Sequence, residues 1–292
     1  MTISWPPISK GASRPIWTGQ DFFIDGKKVP LLCYHETSSG WSNDLTKLHE
    51  DVTGRDHYID HASRQNAIHA LMPILKLPNP HVLEIGCSSG YLLQDLLKRA
   101  KHATIVGSDY IKELLYTVAN RLRGIPIVQF DITQCPFEDS QFDGIVMLNV
   151  LEHIKDDTAA LKQVYRILKP GGIAVIEVPA GPHLYDFYDK HLMHYRRYRL
   201  QDLTSLSHSI GFKIKRTSHL GFFIYPLFAM VKKRNIEKGK KMSTSEIELC
   251  VSQQIKRGNT KPIMHAIMKL ELIFGRFFDY PWGIRCIVIL EK

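Results

Sequence analysis

Between residues 81 and 179, five short apolar runs alternate with amphipathic segments, and this alternation limits the fold more than any other feature. HVLEIG (81–86), ATIVGS (103–108), IPIVQF (125–130), FDGIVML (142–148) and GIAVIEVP (172–179) have the length and branched content of strands buried on both faces. YLLQDLLKRA (91–100), residues 111–122 and TAALKQVYRILK (158–169) carry apolar side chains at helical spacing, the last closed by Pro170-Gly171-Gly172. Such repeats predict an α/β fold, a Rossmann-like doubly wound sheet with helices on both faces and right-handed crossovers. FKIKRTS (212–218) and GIRCIVILEK (283–292) read as two closing strands, which makes seven.

The rest of the chain divides around that core. Residues 1–61 are rich in turn residues and read as an irregular N-terminal cap. A helix is expected from Ala62 to Leu75, ended by Pro78 and Pro80, and another over 200–210, stopped by Gly211. The core is therefore placed at 62–218 and 283–292, with a helical insertion at 219–282.

The turn after the first core strand, in VLEIGCSSGYLL (82–93), decides which cofactor such a sheet can hold. Doubly wound sheets bind nucleotides at the carboxyl ends of their strands. Aligned on Gly86, the dinucleotide pattern G-x-G-x-x-G needs glycine at 88 and 91, where this chain has Ser88 and Tyr91. A tyrosine where helix and strand must pack closely argues against NAD. The stretch instead reads E-x-G-x-x-x-G, from Glu84 through Gly86 to Gly90, and a ligand without a pyrophosphate tolerates Ser88.

With that loop the sequence resembles the class I S-adenosylmethionine-dependent methyltransferases, in particular the small-molecule enzymes of methyltransferase type 11/12. IVGSDY (105–110), QFDIT (129–133), FDGIVMLNVLEHI (142–154) and LKPGG (168–172) match in order over residues 62–218, and more loosely over 283–292. The resemblance implies that the last strand is antiparallel and that the cofactor is S-adenosylmethionine, leaving as S-adenosylhomocysteine. It implies that Asp109 accepts the ribose hydroxyls, beside Tyr110. It places Asp131 at the adenine amino group, with Ile132 against the ring. Leu148 and Asn149 line the pocket, Glu84, Gly86, Cys87, Ser88 and Gly90 form the loop, and Arg64 faces the methionine carboxylate.

Acceptor chemistry is less defined. His153, in the LEH triplet after the fourth strand, is one candidate base. DKHLMHYRRYR (189–199) supplies two more, His191 and His194. In the competing reading, Arg196 or Arg197 pairs with a carboxylate and holds this loop on the body. Glu152, His153 and one of the loop histidines also form a possible divalent-metal set. Metal-dependent members of the superfamily carry a carboxylate three residues before the EH pair, where this chain has Asn149, so no metal is expected.

Lys plus Arg number 38 against 29 Asp plus Glu, a net charge of +9. Residues 232–241 (KKRNIEKGKK) hold six basic side chains and follow the apolar run LGFFIYPLFAMV (220–231); HAIMKLELIFGRFF (265–278) is a second apolar-rich helix. The two read as a core element with a charged end, or as a lid favouring an anionic or lipid-linked acceptor. Five cysteines without C-x-x-C spacing and the absence of a secretory pattern at the start point to a cytoplasmic setting. No run is long enough to span a bilayer. The expected activity is methyl transfer to oxygen or nitrogen of a small molecule: a natural product, a sugar-containing compound, or a lipid- or quinone-like intermediate. An RNA methyltransferase and a non-catalytic methyltransferase-like partner are the alternatives, although no RNA-binding module and no N/D-P-P-Y/F motif is present. Nucleic acid is thus not the expected partner.

Overall fold

The computed structural model describes residues 3–35, 55, 57–240, 242–243, 246–247, 250–251 and 262–292. The strands are β1 (Ile16–Trp17), β2 (Phe22–Ile24), β3 (Lys27–Val29), β4 (Leu32–Cys33), β5 (His81–Ile85), β6 (Thr104–Asp109), β7 (Ile127–Gln129), β8 (Phe142–Leu148), β9 (Leu168–Pro179), β10 (Lys213–Leu220) and β11 (Arg285–Glu291). The helices are α1 (Tyr58–Ala70), α2 (Met72–Leu75), α3 (Tyr91–Arg99), α4 (Lys112–Arg121), α5 (Asp157–Ile167), α6 (Phe187–His191), α7 (Leu200–Ile210), α8 (Tyr225–Gly239) and α9 (Pro262–Phe274).

The main sheet runs β10-β11-β9-β8-β5-β6-β7-β4, and β11 lies antiparallel to both neighbours. The order reverses between β5 and β8, where a doubly wound sheet opens a crevice at its carboxyl ends. Strands β5, β6, β7 and β8 are almost wholly buried, as their apolar runs require, with helices on both faces.

Three expectations are corrected. The sheet has eight strands, not seven: β4 pairs in parallel with β7 and buries Leu32, a strand too short to read from sequence. Within the segment read as an irregular cap, residues 16–29 are regular, for β1, β2 and β3 form a small antiparallel sheet. Its Phe22 packs edge-on against Trp5 at 4.9 Å, and Trp5 lies 6.0 Å from Phe137 of the core. The helix expected over 62–75 starts earlier and is two helices, because Pro73 enters the first turn of α2 and cannot donate a hydrogen bond to continue α1. No helix among the described residues is long and apolar enough to cross a membrane.

Candidate active site

The loop after β5 is fixed by backbone conformation. Gly86 has φ +77°, and a Cβ there would sit 2.2 Å from Cγ2 of Val150. Gly90, φ +67°, begins α3, where a Cβ would lie 2.9 Å from Leu122. Both positions therefore require glycine. The backbone N–H groups of Gly86 and Cys87 both donate to the Ser108 carbonyl at 2.8 Å, and that of Ser88 to Asp109 Oδ2 at 2.9 Å. The loop thus hangs from the end of β6.

Glu84 is buried beneath it and accepts a hydrogen bond from the backbone of Leu93, in the first turn of α3. Burial, and then the Asp109 charge, hold its carboxyl well above the usual range. Its Oε2 has no hydrogen-bond partner among the described residues.

Above this loop lies a cavity of about 1160 Å³ bounded by the carboxyl ends of β5, β6, β8 and β9. Of the expected cofactor residues, Arg64, Glu84, Gly86, Cys87, Ser88, Asp109, Tyr110, Asp131, Ile132, Leu148 and Asn149 line it; Gly90 does not, and shapes the helix start instead. Asp109 Oδ1 also accepts from the backbone of Ile111 at 3.1 Å. Asp131 Oδ1 caps the next turn, accepting from Thr133 N and Oγ1 at 2.8 Å each. The Tyr110 hydroxyl meets His35 Nε2 at 3.4 Å, so the strand pair β4–β7 brings the N-terminal segment to this end of the cavity. Asn149 adopts φ +55°, its backbone N–H donating to the Glu177 carbonyl at 2.8 Å.

Arg64 is buried. Its Nε donates to Asp95 at 3.1 Å and one terminal nitrogen to the Arg55 carbonyl at 2.7 Å. Three guanidinium groups, those of Arg55, Arg64 and Arg121, stand 5.6–5.9 Å from the Tyr91 ring at this edge.

The opposite side of the cavity is built from a buried ionic network. His194 Nδ1 meets Asp189 Oδ1 at 3.0 Å. Asp189 also receives Arg197 Nε at 2.8 Å and Lys232 Nζ at 2.8 Å, and Lys232 reaches Asp186 at 2.7 Å. Burial alone would raise the Asp189 carboxyl, but the hydrogen bond from His194 and the Lys232 and Arg197 cations carry it far below the usual range. Burial lowers the His194 imidazole, against the raising influence of Asp189. Lys232, read from sequence as the start of a charged helix end, is therefore an interior cation contributed by α8.

His153 lies edge-on to His194 at 4.6 Å, and both line the cavity. His191 does not: it sits on α6 with Nε2 buried and no hydrogen-bond partner among the described residues. Arg196 pairs with Asp157 and with the Lys155 carbonyl, and Arg197 also donates to the Ala180 carbonyl at 2.9 Å, so both arginines hold the loop on the body. Glu152 is fully buried, neither of its carboxyl oxygens has a hydrogen-bond partner among the described residues, and burial pushes it up to about 8. Ligand atoms of Glu152, His153 and His194 lie within 4.8 Å of one another.

Sequence reasoning missed Asp189, Lys232, and a second network in which Arg285 joins Ser63 (2.7 Å), Glu177 (2.9 Å) and Asp60 (2.5 Å). The available signal was a single charge inside an apolar strand: Glu177 in VIEVP and Arg285 in GIRCIVIL.

The geometry fits S-adenosylmethionine. The glycine cradle closes if a side chain is added at Gly86, acids stand at the ends of β6 and β7, Ile132 and Leu148 give an apolar wall, and the buried Glu84 Oε2 has no partner among the described residues. A family model described as a methyltransferase domain matches residues 83–176. An uncharacterized methyltransferase of Bacillus subtilis, YdaC, is 36% identical over 97 residues, covering 32% of this chain and 54% of that protein. A ubiquinone biosynthesis O-methyltransferase of Xanthomonas oryzae pv. oryzae is 32% identical over 123 residues, 37% of this chain and 50% of that protein. The chain spans about half the length of the curated relatives it matches. Among solved structures, phosphoethanolamine N-methyltransferase 2 of Haemonchus contortus, in complex with S-adenosyl-L-methionine, superposes with a TM-score of 0.57 at 18% identity, over 86% of this chain and 57% of that one. At that identity the likeness is one of fold.

Proposed function

Because this chain carries a class I S-adenosylmethionine-dependent methyltransferase domain, we propose that it transfers a methyl group to a hydroxyl oxygen of a small, largely apolar acceptor. The observation behind this reading is that one cavity joins the glycine loop and Asp109 on one side to an aspartate-oriented histidine, His194, on the other. When bound, S-adenosylmethionine supplies an electrophilic methyl group on a sulfonium.

The chain's own residues divide the remaining work. Gly86, Cys87 and Ser88 shape the seat, Asp109 and Asp131 offer carboxylate oxygens to hydroxyl and amino donors, and Ile132 and Leu148 cover an apolar ring. The positive edge at Arg55, Arg64 and Arg121 attracts a carboxylate. On the acceptor side, Asp189 fixes the His194 ring through Nδ1, which leaves Nε2 to take a proton from a hydroxyl. Burial lowers its pKa, which favours the neutral imidazole, the form with a lone pair free to accept that proton. Holding acceptor and donor in line supplies the rest of the rate, an effect measured in other systems at up to roughly 7–11 kcal/mol. The O-methyltransferase relative works in ubiquinone biosynthesis, and Tyr188, Leu192, Met193 and Phe228, which line the cavity from the segments that carry His194 and Lys232, suit an acceptor of the quinol type.

Titration calorimetry tests the first half: S-adenosylhomocysteine should bind at micromolar levels. Turnover on a panel of catechols and quinols tests the second. Activity that survives EDTA supports His194 as base; activity lost to EDTA and restored by Mn²⁺ would turn Glu152, His153 and His194 into a cation site. Methylation confined to amines would overturn the hydroxyl assignment.

A further inference from the structure

Two helices between β10 and β11 leave an apolar face in solvent. The inner side of α9 is set by Met268 and Glu271, both buried. Ile263, Leu270, Ile273 and Phe274, continued by Phe277, recur at intervals of three, four and seven residues on the other side. On α8, Leu227, Met230 and Val231 form a similar stripe, preceded by Phe223. These side chains are 41% to 77% exposed.

The stripes meet at one corner. Glu271 of α9 accepts the backbone N–H groups of Gly221 (2.6 Å) and Phe223 (3.2 Å), just before α8. The rings of Phe223 and half-exposed Trp282 both lie against Phe222, at 5.3 and 5.2 Å. Burying both helices' inner sides while leaving this much apolar surface outside is unusual for a free-standing chain.

The charges around this face are basic. Beyond Val231, α8 continues into Lys233, Arg234 and Lys238, and Lys269 and Arg276 stand beside Leu270 and Phe277; all five are exposed. The nearby exposed acids are neutralised within the chain, Glu237 by Lys240 and Asp279 by Arg216. A bilayer with acidic head groups offers hydrocarbon to the stripes and anionic charge to the cations in one plane. Trp and Phe at such a boundary are at home between the two.

We propose that the outer face of α8, α9 and residues 275–282 docks on an anionic lipid bilayer. The other side of α8 carries Phe228, which lines the cavity, so the docking helix is also a wall of the site. The docking stands independently of the methyl-transfer reading, because none of its residues is placed in the cofactor or base machinery.

Co-sedimentation of the full chain with vesicles tests it, comparing phosphatidylcholine alone with phosphatidylcholine containing about one-third phosphatidylglycerol. The chain should pellet with the anionic vesicles, and less so as salt is raised. Leu270→Glu with Phe277→Glu should cut vesicle affinity at least ~10-fold. Lys233→Glu with Arg234→Glu should remove the preference for acidic lipid. S-adenosylhomocysteine affinity, read by calorimetry, should stay unchanged in both, which shows that they fold. Absence of binding to either vesicle overturns the proposal. So does a concentration-dependent dimer in sedimentation velocity that the Leu270/Phe277 variant abolishes without any vesicle binding, since the face would then be covered by a second copy.

Discussion

The two sides of the cavity are built by different means. The cofactor side is mainly backbone: glycines at positive φ, N–H groups turned onto Ser108 and Asp109, and carboxylates at strand ends within about fifty residues of sequence. The side proposed for the acceptor is mainly side chain: Asp189 from α6 and His194 just after it, held by Lys232 from α8. Backbone geometry is insensitive to which acceptor arrives, so one seat can serve many methyl transfers. An ionic network drawn from remote segments can be rebuilt around each new acceptor without touching that seat.

If this division holds, substitutions on one side should leave the other's readout nearly intact. The largest effect belongs to Gly86→Ala. A Cβ 2.2 Å from Val150 on a backbone at φ +77° must displace that side chain and strain the loop. S-adenosylhomocysteine binding by calorimetry should vanish, and the melting temperature should fall by several degrees. Next comes Lys232→Met, which leaves Asp186 and Asp189 buried with less countercharge. Such losses elsewhere cost roughly 3–5 kcal/mol of stability. Chemical denaturation should show this, while cofactor affinity of the folded fraction stays within about twofold; a large loss of affinity would erase the distinction between the two sides. Asp109→Ala should weaken cofactor binding about 100-fold, through the lost Ser88 anchor and through the ribose contact proposed for this carboxylate.

Asp189→Asn acts on the other side and carries the pH test. If the neutral His194 imidazole is the base, as proposed, turnover should fall on acidification through its lowered pKa, below the ordinary 6.5. Asp189 raises that pKa, so removing its charge should move the acid limb of kcat to still lower pH while the plateau drops about 10- to 100-fold. Asp189 as a mere structural prop predicts the drop without the displacement. Combined with Asp109→Ala, the two effects should add, since the sites share no partner.

The same contrast explains what the sequence made legible. The alternation of buried strands and amphipathic helices follows from local periodicity, so β5, β6 and β8 could be read almost to the residue. Glycines and acids next to strand ends could be read too, because their spacing is set by the same backbone. Lys232 could not: a lysine in KKRNIEKGKK looks solvated until α8 is folded against the loop after β9. Histidine identity was legible at 191 and 194 but their separation was not. His191 ends α6 outside the cavity lining, whereas His194, three residues on, lines the cavity and is held there by Asp189. β4 escaped notice because two residues show no period.

Arg64 gives the smallest and most discriminating effect. Its resemblance role is to meet a methionine carboxylate, yet the structure commits its Nε to Asp95 and one terminal nitrogen to the Arg55 carbonyl. Arg55 and Arg121 stand as close to Tyr91 and can supply much of the same positive field. Arg64→Met should therefore weaken S-adenosylhomocysteine only ~3- to 10-fold, the size expected when one of several partly screened charges is removed. The partner experiment is Asp95→Asn. If Arg64 serves mainly to hold α1 against α3, this change should cost as much affinity as losing the arginine. If its charge faces the carboxylate, freeing it from Asp95 should leave affinity level or slightly raised. A loss of 100-fold or more in Arg64→Met alone would make a single side chain the anchor of the cofactor side, and the claim that backbone dominates there would fail.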